Sequence, residues 1–407
     1  MSIHLSRQTK LFVLFDSLYY EIPILDGYSF SQAVNNNEIT LSEASTSAGA
    51  SRRGRKMFNS SLAPAEFSFQ TYMQPFKAAS SGNTTQGTGG KAGTVDNAHY
   101  STDNVLWALF AGKANTVSSN GATFTDGSNT IVSNDGTNSD VSFAHSNFST
   151  VGEATFIFSV SDGTSNGGIN YEISKAVLNE ATIDFDLEGL ATISWSGMGT
   201  TLKENATDAR HLRTTANTAT VFEGVDNTSG FIQNKLMTVD LTAVDDSSGV
   251  TGIDFGTASN FPGASSDGVY NVVATGGSLT FSNNITFLTP EELGKVNTPM
   301  GHVTGTRSIS GTVTCYLDEA TGGSADLFQD LIENTDLDEN VFSLTATLGG
   351  AAAPNCAIAL PRCNLGVPTH SIDDIISVEL TFDALPSNIT TTGAAGASEA
   401  TLTYKGA

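Results

Sequence analysis

Residues 51 to 59 read SRRGRKMFN and place Arg52, Arg53, Arg55 and Lys56 within five positions. Clustered guanidinium and ammonium groups displace counterions from nucleic-acid phosphates without reading sequence, so a phosphate patch is the first chemistry this stretch suggests. The rest of the chain opposes that reading. Its 18 Lys and Arg against 42 Asp and Glu give 407 residues a formal charge of −24. Such a surface repels a duplex inside the Debye length, which excludes a whole-surface DNA binder.

Other reactive arrangements fail on spacing. The His residues stand at 4, 99, 145, 211, 302 and 370, with no HExxH and no pair at helical spacing. Cys356, Cys363 and His370 recur every seven residues, which matches no usual zinc spacing, so the two thiols read as packed core residues. Cys315, within TVTCYL, reads as a strand residue. GTGGKAG from Gly87 resembles a phosphate loop, but Ala92 follows Lys91 where that loop needs Ser or Thr. No GxSxG elbow is present, and the acidic stretches NTDLDEN and SIDDI lack the calcium-loop pattern and read as solvated turns. No catalytic residue, metal site or cofactor is expected, and the chain does not read as an enzyme.

The elements that would carry any site are strands. Forty Gly, 23 Phe, 10 Pro and only 15% charged residues suit many short strands joined by tight polar turns. The start, MSIHLSRQTKLFVLFDS, has an apolar run of Leu11 to Phe15 only, too short for a signal-peptide core, and no stretch approaches membrane-spanning length. Folding in the cytoplasm is expected, with the Cys as thiols.

The order of elements repeats. KLFVLF at 10 to 15 is echoed by KLMTVD at 235 to 240, GYSFSQAVNNNEITL from Gly27 by GGSLTFSNNITFL from Gly276, and EFSFQTYMQPF from Glu66 by RSISGTVTCYL from Arg307. Each copy then has one short amphipathic helix: Val105, Leu106, Leu109 and Phe110 form a stripe in the first, Leu327, Phe328, Leu331 and Ile332 in the second. Thr102 and Ser324 are the expected N-caps. Each copy closes on an acidic turn and a strand, DLEGLATISWSG from Asp186 and SIDDIISVELTFDAL from Ser371, with Ile193 and Trp195, then Val378, Leu380 and Phe382, on one face. The repeat predicts a mainly β (α+β) chain of two tandem β-sandwich units, each with one flanking helix. The first spans 1–215 with a polar insertion near 115–150, a linker covers 216–234, and the second unit spans 235–407.

These residues resemble the phage tail tube (major tail) protein family over nearly the whole chain. The resemblance rests on VLNEATIDFDLEGLATISWSGMGTTL from Val177, on TGGSLTFSNNITFLTPEELGKVNTPMGHVTGTRSISGTVTCYL from Thr275 and on LPRCNLGVPTHSIDDIISVELTF from Leu360. It implies units that assemble into rings, inner sheets that join into a continuous barrel, and rings that stack into a tube around the path of the genome. Most members resemble single-unit hexamers. Two units per chain imply instead a homotrimeric pseudo-sixfold ring, with a homohexamer as the alternative. A virion tail location after assembly in the host cytoplasm, a tape measure protein, a possible sheath, and DNA that transits without specific binding are further implications.

The resemblance also gives the charges a use. Three chains carry 3 × −24, or −72, and walls of that sign repel a transiting duplex where Lys contacts would hold it. Arg52, Arg53, Arg55 and Lys56 fall in the family's long loop, which reaches the neighbouring ring. The matching loop of the second copy, TPEELGKVNTPMGHVTGTR, carries Glu291 and Glu292. These cations are expected to meet acidic groups of the next ring and set stacking register. The insertion is expected to decorate the outside of the tube. The competing reading is a carbohydrate- or receptor-binding β-sandwich of adhesin type, which a secretion signal would have favoured.

Overall fold

The structure, a computed structural model, describes residues 6, 9–39, 56–78, 97–117, 123–127, 129–144, 150–161, 168–204, 221–222, 230–243, 269–333, 341–372, 375–386 and 398–406. Alternating apolar and polar residues, many of them β-branched or aromatic, give strands almost throughout. They run β1 (Lys10–Phe15), β2 (Leu18–Ile22), β3 (Ser29–Glu38), β4 (Met57–Tyr72), β5 (Pro75–Lys77) and β6 (His99–Ser101) to helix α1 (Asn104–Ala111). β7 (Thr116–Val117), β8 (Thr123–Thr125), β9 (Thr130–Asn134), β10 (Ser139–Ala144), β11 (Ala154–Ser161), β12 (Gly168–Asp186), β13 (Thr192–Gly199), β14 (Thr201–Glu204) and β15 (Val221–Phe222) follow. The later elements are β16 (Thr238–Ala243), β17 (Val269–Val272), β18 (Ala274–Ser282), β19 (Thr286–Leu288), β20 (Gly301–Val303), β21 (Ser308–Tyr316), α2 (Ser324–Glu333), β22 (Val341–Leu348), β23 (Asn355–Leu365), β24 (Thr369–Ile372), β25 (Ile376–Ala384) and β26 (Ser398–Lys405).

One antiparallel sheet draws on both halves of the chain. Its strand order is β3, β4, β13, residues 177–186 of β12, β18, β21 and β25, and the far side of β25 is paired by β24 and the end of β23. Two cover sheets pack on it. The first runs β2, β1, β11, the start of β12 and β14; the second runs β17, β16, β22, the start of β23 and β26. Long strands β12 and β23 thus pass from a cover sheet into the shared sheet. The sheets are not closed into a barrel.

The same pairing order occurs twice. β1, β2, β3, β4, α1, β11, β12, β13 and β14 have as counterparts β16, β17, β18, β21, α2, β22, β23 with β24, β25 and β26. One rung shows the likeness down to side chains. Phe67 of β4 stands opposite Gly197 of β13, and at the matching rung Gly311 of β21 stands opposite Phe382 of β25, so the glycine and the ring have changed strands. The echo KLMTVD is displaced from the strand it foreshadows. Asn234–Leu236 form a 3₁₀ turn, and β16 begins at Thr238.

The core lies between the shared and cover sheets. Phe67 packs on Phe156 and Phe30 on Phe158, each at 4.8 Å between ring centroids. Helix α1 is buried on all sides, not along one stripe as its sequence suggests. Trp107 lies 4.7 Å from Trp195, 5.5 Å from Phe281 and 5.8 Å from Phe143, and its indole N–H donates to the Tyr404 hydroxyl at 2.9 Å. The reason is the insertion. β7 to β10 extend the second cover sheet through a β10–β26 pairing and, with β26, close over α1. Among the described residues helix α2 has no such cover, and it keeps its amphipathic character, with Leu327 and Leu331 buried and Ile332 48% exposed. The caps also differ from expectation. Asp103, one residue after Thr102, holds the N-cap position of α1 without a capping bond from its side chain. Ser324 is already helical, and its hydroxyl donates to the Tyr316 carbonyl at 2.7 Å and accepts the Asp318 N–H at 2.9 Å, so it fastens the preceding turn.

Candidate functional site

The face of the shared sheet turned away from the core follows from strand alternation. Apolar residues such as Phe69, Ile183, Trp195, Leu279, Phe281, Val313, Leu380 and Phe382 all point inward and are buried. Their neighbours in sequence form rungs across the other face. One rung holds Ser29, Ser68, Ser196, Glu180, Ser282 and Ser308. The next holds Gln70, Ser194, Thr182, Thr280, Ser310 and Asp383, and another Tyr72, Thr192, Asp184, Ser278, Thr312 and Thr381. Asp186, Gly276, Thr314, Glu379 and Thr369 complete the series, while Glu66 stands between Ser31 and Met198.

The chemistry of this face is uniform. Polar side chains link neighbouring strands along the rungs, with Ser29 and Ser68 2.8 Å apart, Gln70 donating to Ser194 at 2.9 Å, and Thr182 and Thr280 3.3 Å apart. Glu66, Glu180, Asp184, Asp186, Glu379 and Asp383 are exposed upon it. None of the 18 Lys and Arg of the chain falls within β3, β4, β13, 177–186, β18, β21 or β25. Arg362, on the end of β23 beside β25, is the one cation in phase with this face within the sheet's strands; the seven strands from β3 to β25 present hydroxyls and carboxylates, which hold a water layer and give phosphates no positive partner. A single carboxylate repels a phosphate by only about 1 kcal/mol at 4 Å in water, so the effect is collective.

The two ends of the sheet differ. At one end the β3–β4 hairpin runs beyond the sheet, with Val34, Ile39, Met57 and Phe58 exposed. The 283–307 loop, with its hairpin of β19 and β20, lies beside it: Asn297 donates its N–H to the Ser60 carbonyl at 3.2 Å and accepts from the Leu62 N–H at 2.8 Å. At the opposite end, the β12–β13 turn carries exposed Glu188 and the segment after β21 carries exposed Glu319, while exposed Asp26 precedes β3. The adjoining 3₁₀ turn adds one cation, Lys235.

Of the residues expected to contact a neighbouring ring, Arg52, Arg53 and Arg55 lie outside the described residues. Lys56 is exposed at the root of β4, where its carbonyl accepts the Ile39 N–H at 2.9 Å. Glu291 and Glu292 are exposed on the 283–307 loop at the same end, and Glu292 pairs with Lys295 at 2.8 Å. The structure therefore brings Lys56 and the two glutamates to one end of the sheet. The Lys91 loop also lies outside the described residues.

The sulfur and imidazole groups do not converge. Cys315, Cys356 and Cys363 are free and buried. Burial pushes Cys315 up to about 11 and Cys363 up to about 12, and raises Cys356 well above its ordinary value, so all three hold their protons. Cys363 donates to the Phe342 carbonyl at 3.0 Å. His370 instead stands on exposed β24, its ring 4.3 Å from Phe328 of α2. Among the described residues no group of three or more His, Cys, Asp or Glu is placed to hold a metal ion.

Sequence reasoning missed the carboxylates of the exposed face as a set. The signal was present as phase: Asp184 and Asp186 alternate with buried Ile183 and Phe185, and Glu379 and Asp383 with Val378, Leu380 and Phe382. Phase gives a shared face within one strand. It does not say that strands from two halves lie in one sheet.

No known family model matches the chain. It is 28% identical over 407 residues to the tail tube protein pb6 of Escherichia phage T5, a similarity covering 96% of this chain and 74% of that protein. The chain thus combines a mainly β architecture of sandwiched sheets with a likeness, along nearly its entire length, to a phage tail tube protein.

Proposed function

We propose that three copies of this chain form a pseudo-sixfold ring, that rings stack into the tail tube, and that the hydroxyl and carboxylate face of the shared sheet lines the channel through which genomic DNA passes. Each copy contributes two units, 1–215 and 235–407, joined by the 216–234 linker. The repeated pairing order supports two units. The observation that carries the reading is the seven-stranded shared sheet, whose two halves already join edge to edge and whose exposed face has six carboxylates but no Lys or Arg. A duplex in such a bore is centred by repulsion and meets no salt-sensitive contact that would slow it. A tape measure protein within the tube, and a sheath outside it where the tail contracts, are the further partners that the likeness to a tail tube protein suggests.

Ring stacking is assigned to the two ends of the sheet. Lys56, which follows Arg52, Arg53 and Arg55 in sequence, stands at the end with the long hairpin, and Glu291 and Glu292 rise from that same end. Pairing between these two sets across rings would need rings stacked head to head. Rings stacked head to tail bring the cations to the opposite end of the next ring, where Asp26, Glu188 and Glu319 are exposed. Reversal of Arg52, Arg53, Arg55 and Lys56 to Glu is expected to leave rings that no longer stack. Reversal of Glu188 and Glu319 reproduces that defect in the head-to-tail arrangement, and reversal of Glu291 and Glu292 reproduces it in the other.

Negative-stain microscopy with light scattering on purified protein tests the function. Rings or tubes with a central hole and a mass of three chains per ring are expected. Monodisperse monomers would favour the receptor-binding sandwich, and six chains per ring the homohexamer.

A further inference from the structure

Among the described residues the shared sheet contains one joint between the two halves of the chain, and two edges that are that joint taken apart. At the joint, residues 180–186 of β12 pair antiparallel with 276–282 of β18. The counterpart of 177–186 is the end of β23 with β24, and the counterpart of β18 is β3. Among the described residues β24 pairs only with β25 and β3 only with β4. The correspondence is fixed rung by rung. Asp184 faces Thr192 as Ser371 faces Ser377, and Ser278 faces Thr312 as Ser29 faces Ser68.

We infer that a second copy of this chain docks its β3 edge on β24 of the first in the register of the internal joint, with Ser29 opposite Ser371, Ser31 opposite Thr369 and Phe30 opposite His370. The inference rests on the ring reading above and deepens it by naming the edge, the register and the occupant. Three further observations favour a copy of the chain itself. The two edges complement one another in length and direction because their counterparts already do so within one molecule. Unpaired edges of this kind are liabilities unless covered, and closing a ring covers them. Ile332 is the third. Its counterpart Phe110 is fully buried at the internal joint, where the Phe110 carbonyl accepts from Asn283, whereas Ile332 is 48% exposed in the single chain. The exposure of α2 marks the place that the next copy fills.

The two kinds of joint are not equivalent. At the internal joint Arg307 donates to the carbonyls of Ala111 at 3.0 Å and Phe143 at 3.2 Å and pairs with Glu399 at 2.6 Å. The residue matching Arg307 at the other edge is Ala63, and seven residues separate α2 from β22 where 42 separate α1 from β11. The intermolecular joint therefore lacks both the buried clamp and the sealing insertion, and it is the joint at which rings come apart.

Paired cysteines test the register. Residues directly opposite on antiparallel strands have Cα atoms about 4.5 to 5.5 Å apart, within disulfide reach. Ser29 and Ser371 are exposed, so Ser29→Cys with Ser371→Cys leaves the fold unstrained. Under mild oxidation this pair is expected to give covalent dimers and closed trimers on non-reducing gels, and Ala33→Cys with Ser371→Cys is expected to give none. Ile332→Asp is expected to abolish rings while leaving the urea midpoint of the single chain unchanged. Rings seen by microscopy without the Ser29–Ser371 crosslink, or with the Ala33 crosslink, would overturn the register and leave the ring reading standing. Wild-type protein that forms no rings and no crosslinks would overturn both.

Discussion

Phe67 lies across Gly197 on the adjoining strand, so closely that a Cβ at Gly197 would stand 2.5 Å from the ring and 2.3 Å from the Val177 carbonyl oxygen. At Gly311 a Cβ would likewise meet the Phe382 ring at 2.5 Å. Each ring is accommodated because its neighbour has no side chain. Gly197→Ala and Gly311→Ala are each expected to lower stability by about 1–3 kcal/mol through overpacking. Phe67→Leu should relieve part of the cost of Gly197→Ala and none of that of Gly311→Ala, in urea denaturation of each double variant.

Arg307 joins the end of α1, the insertion and the last strand, with its guanidinium 5.4 Å from the Phe143 ring. Arg307→Met strands the Glu399 carboxylate among buried groups, at an expected cost of about 3–5 kcal/mol. Arg307→Met with Glu399→Leu should recover much of this, because the uncompensated charge is gone. Arg307→Lys should not, since an ammonium cannot reproduce the planar fork. The urea midpoints of the three variants check the order.

Charge on the exposed face of the shared sheet can be reversed without touching the core. Asp184→Lys, Glu379→Lys and Asp383→Lys together should leave assembly intact and create DNA retention. Bound fraction should fall as salt rises from about 50 to 200 mM, with a logarithmic slope of about −0.9 for each phosphate that the new ammonium groups neutralise. Wild-type tubes should retain no DNA across that range, as measured by co-sedimentation.

Two imidazoles make stability depend on pH. His99 accepts the Gly406 N–H at Nδ1 at 3.0 Å, and burial, followed by Lys77 and Lys405, holds its pKa below the ordinary value. Burial likewise depresses His302, aided by Lys113 and opposed by Glu153. Both groups take up a proton more readily in the unfolded chain, whose ordinary value is about 6.5. Their contribution is therefore intact above that value and is lost as pH falls below it. The urea midpoint should decline between pH 7.5 and 5.0, and His99→Gln should flatten that decline. An unchanged slope in the variant would contradict the assignment.

Much of this architecture was legible in residue order. The matched stretches from Gly27 and Gly276, from Glu66 and Arg307, and from Asp186 and Ser371 become β3 with β18, β4 with β21, and β13 with β25, because period-two alternation survives divergence. The faces of Ile193, Trp195, Val378, Leu380 and Phe382 were legible for the same reason. Partner choice was not. β10 pairs with β26 more than 250 residues along the chain, and nothing in VSFA or TLTY names the other. The stripe on α1 was misleading because Trp107, Ala108 and Ala111 are also buried, once the insertion supplies a second wall. The exposed face of the shared sheet was legible only as separate phases in separate strands, since hydrogen-bond register alone sets Thr182 beside Thr280.

A reconstruction of assembled tubes by cryo-electron microscopy tests the central claim most directly. Glu66, Glu180, Asp184, Asp186, Glu379 and Asp383 are expected to face the bore, with three chains per ring and a continuous inner sheet. A bore lined by Lys or Arg, or a map in which this face packs against protein or points outward, would contradict it.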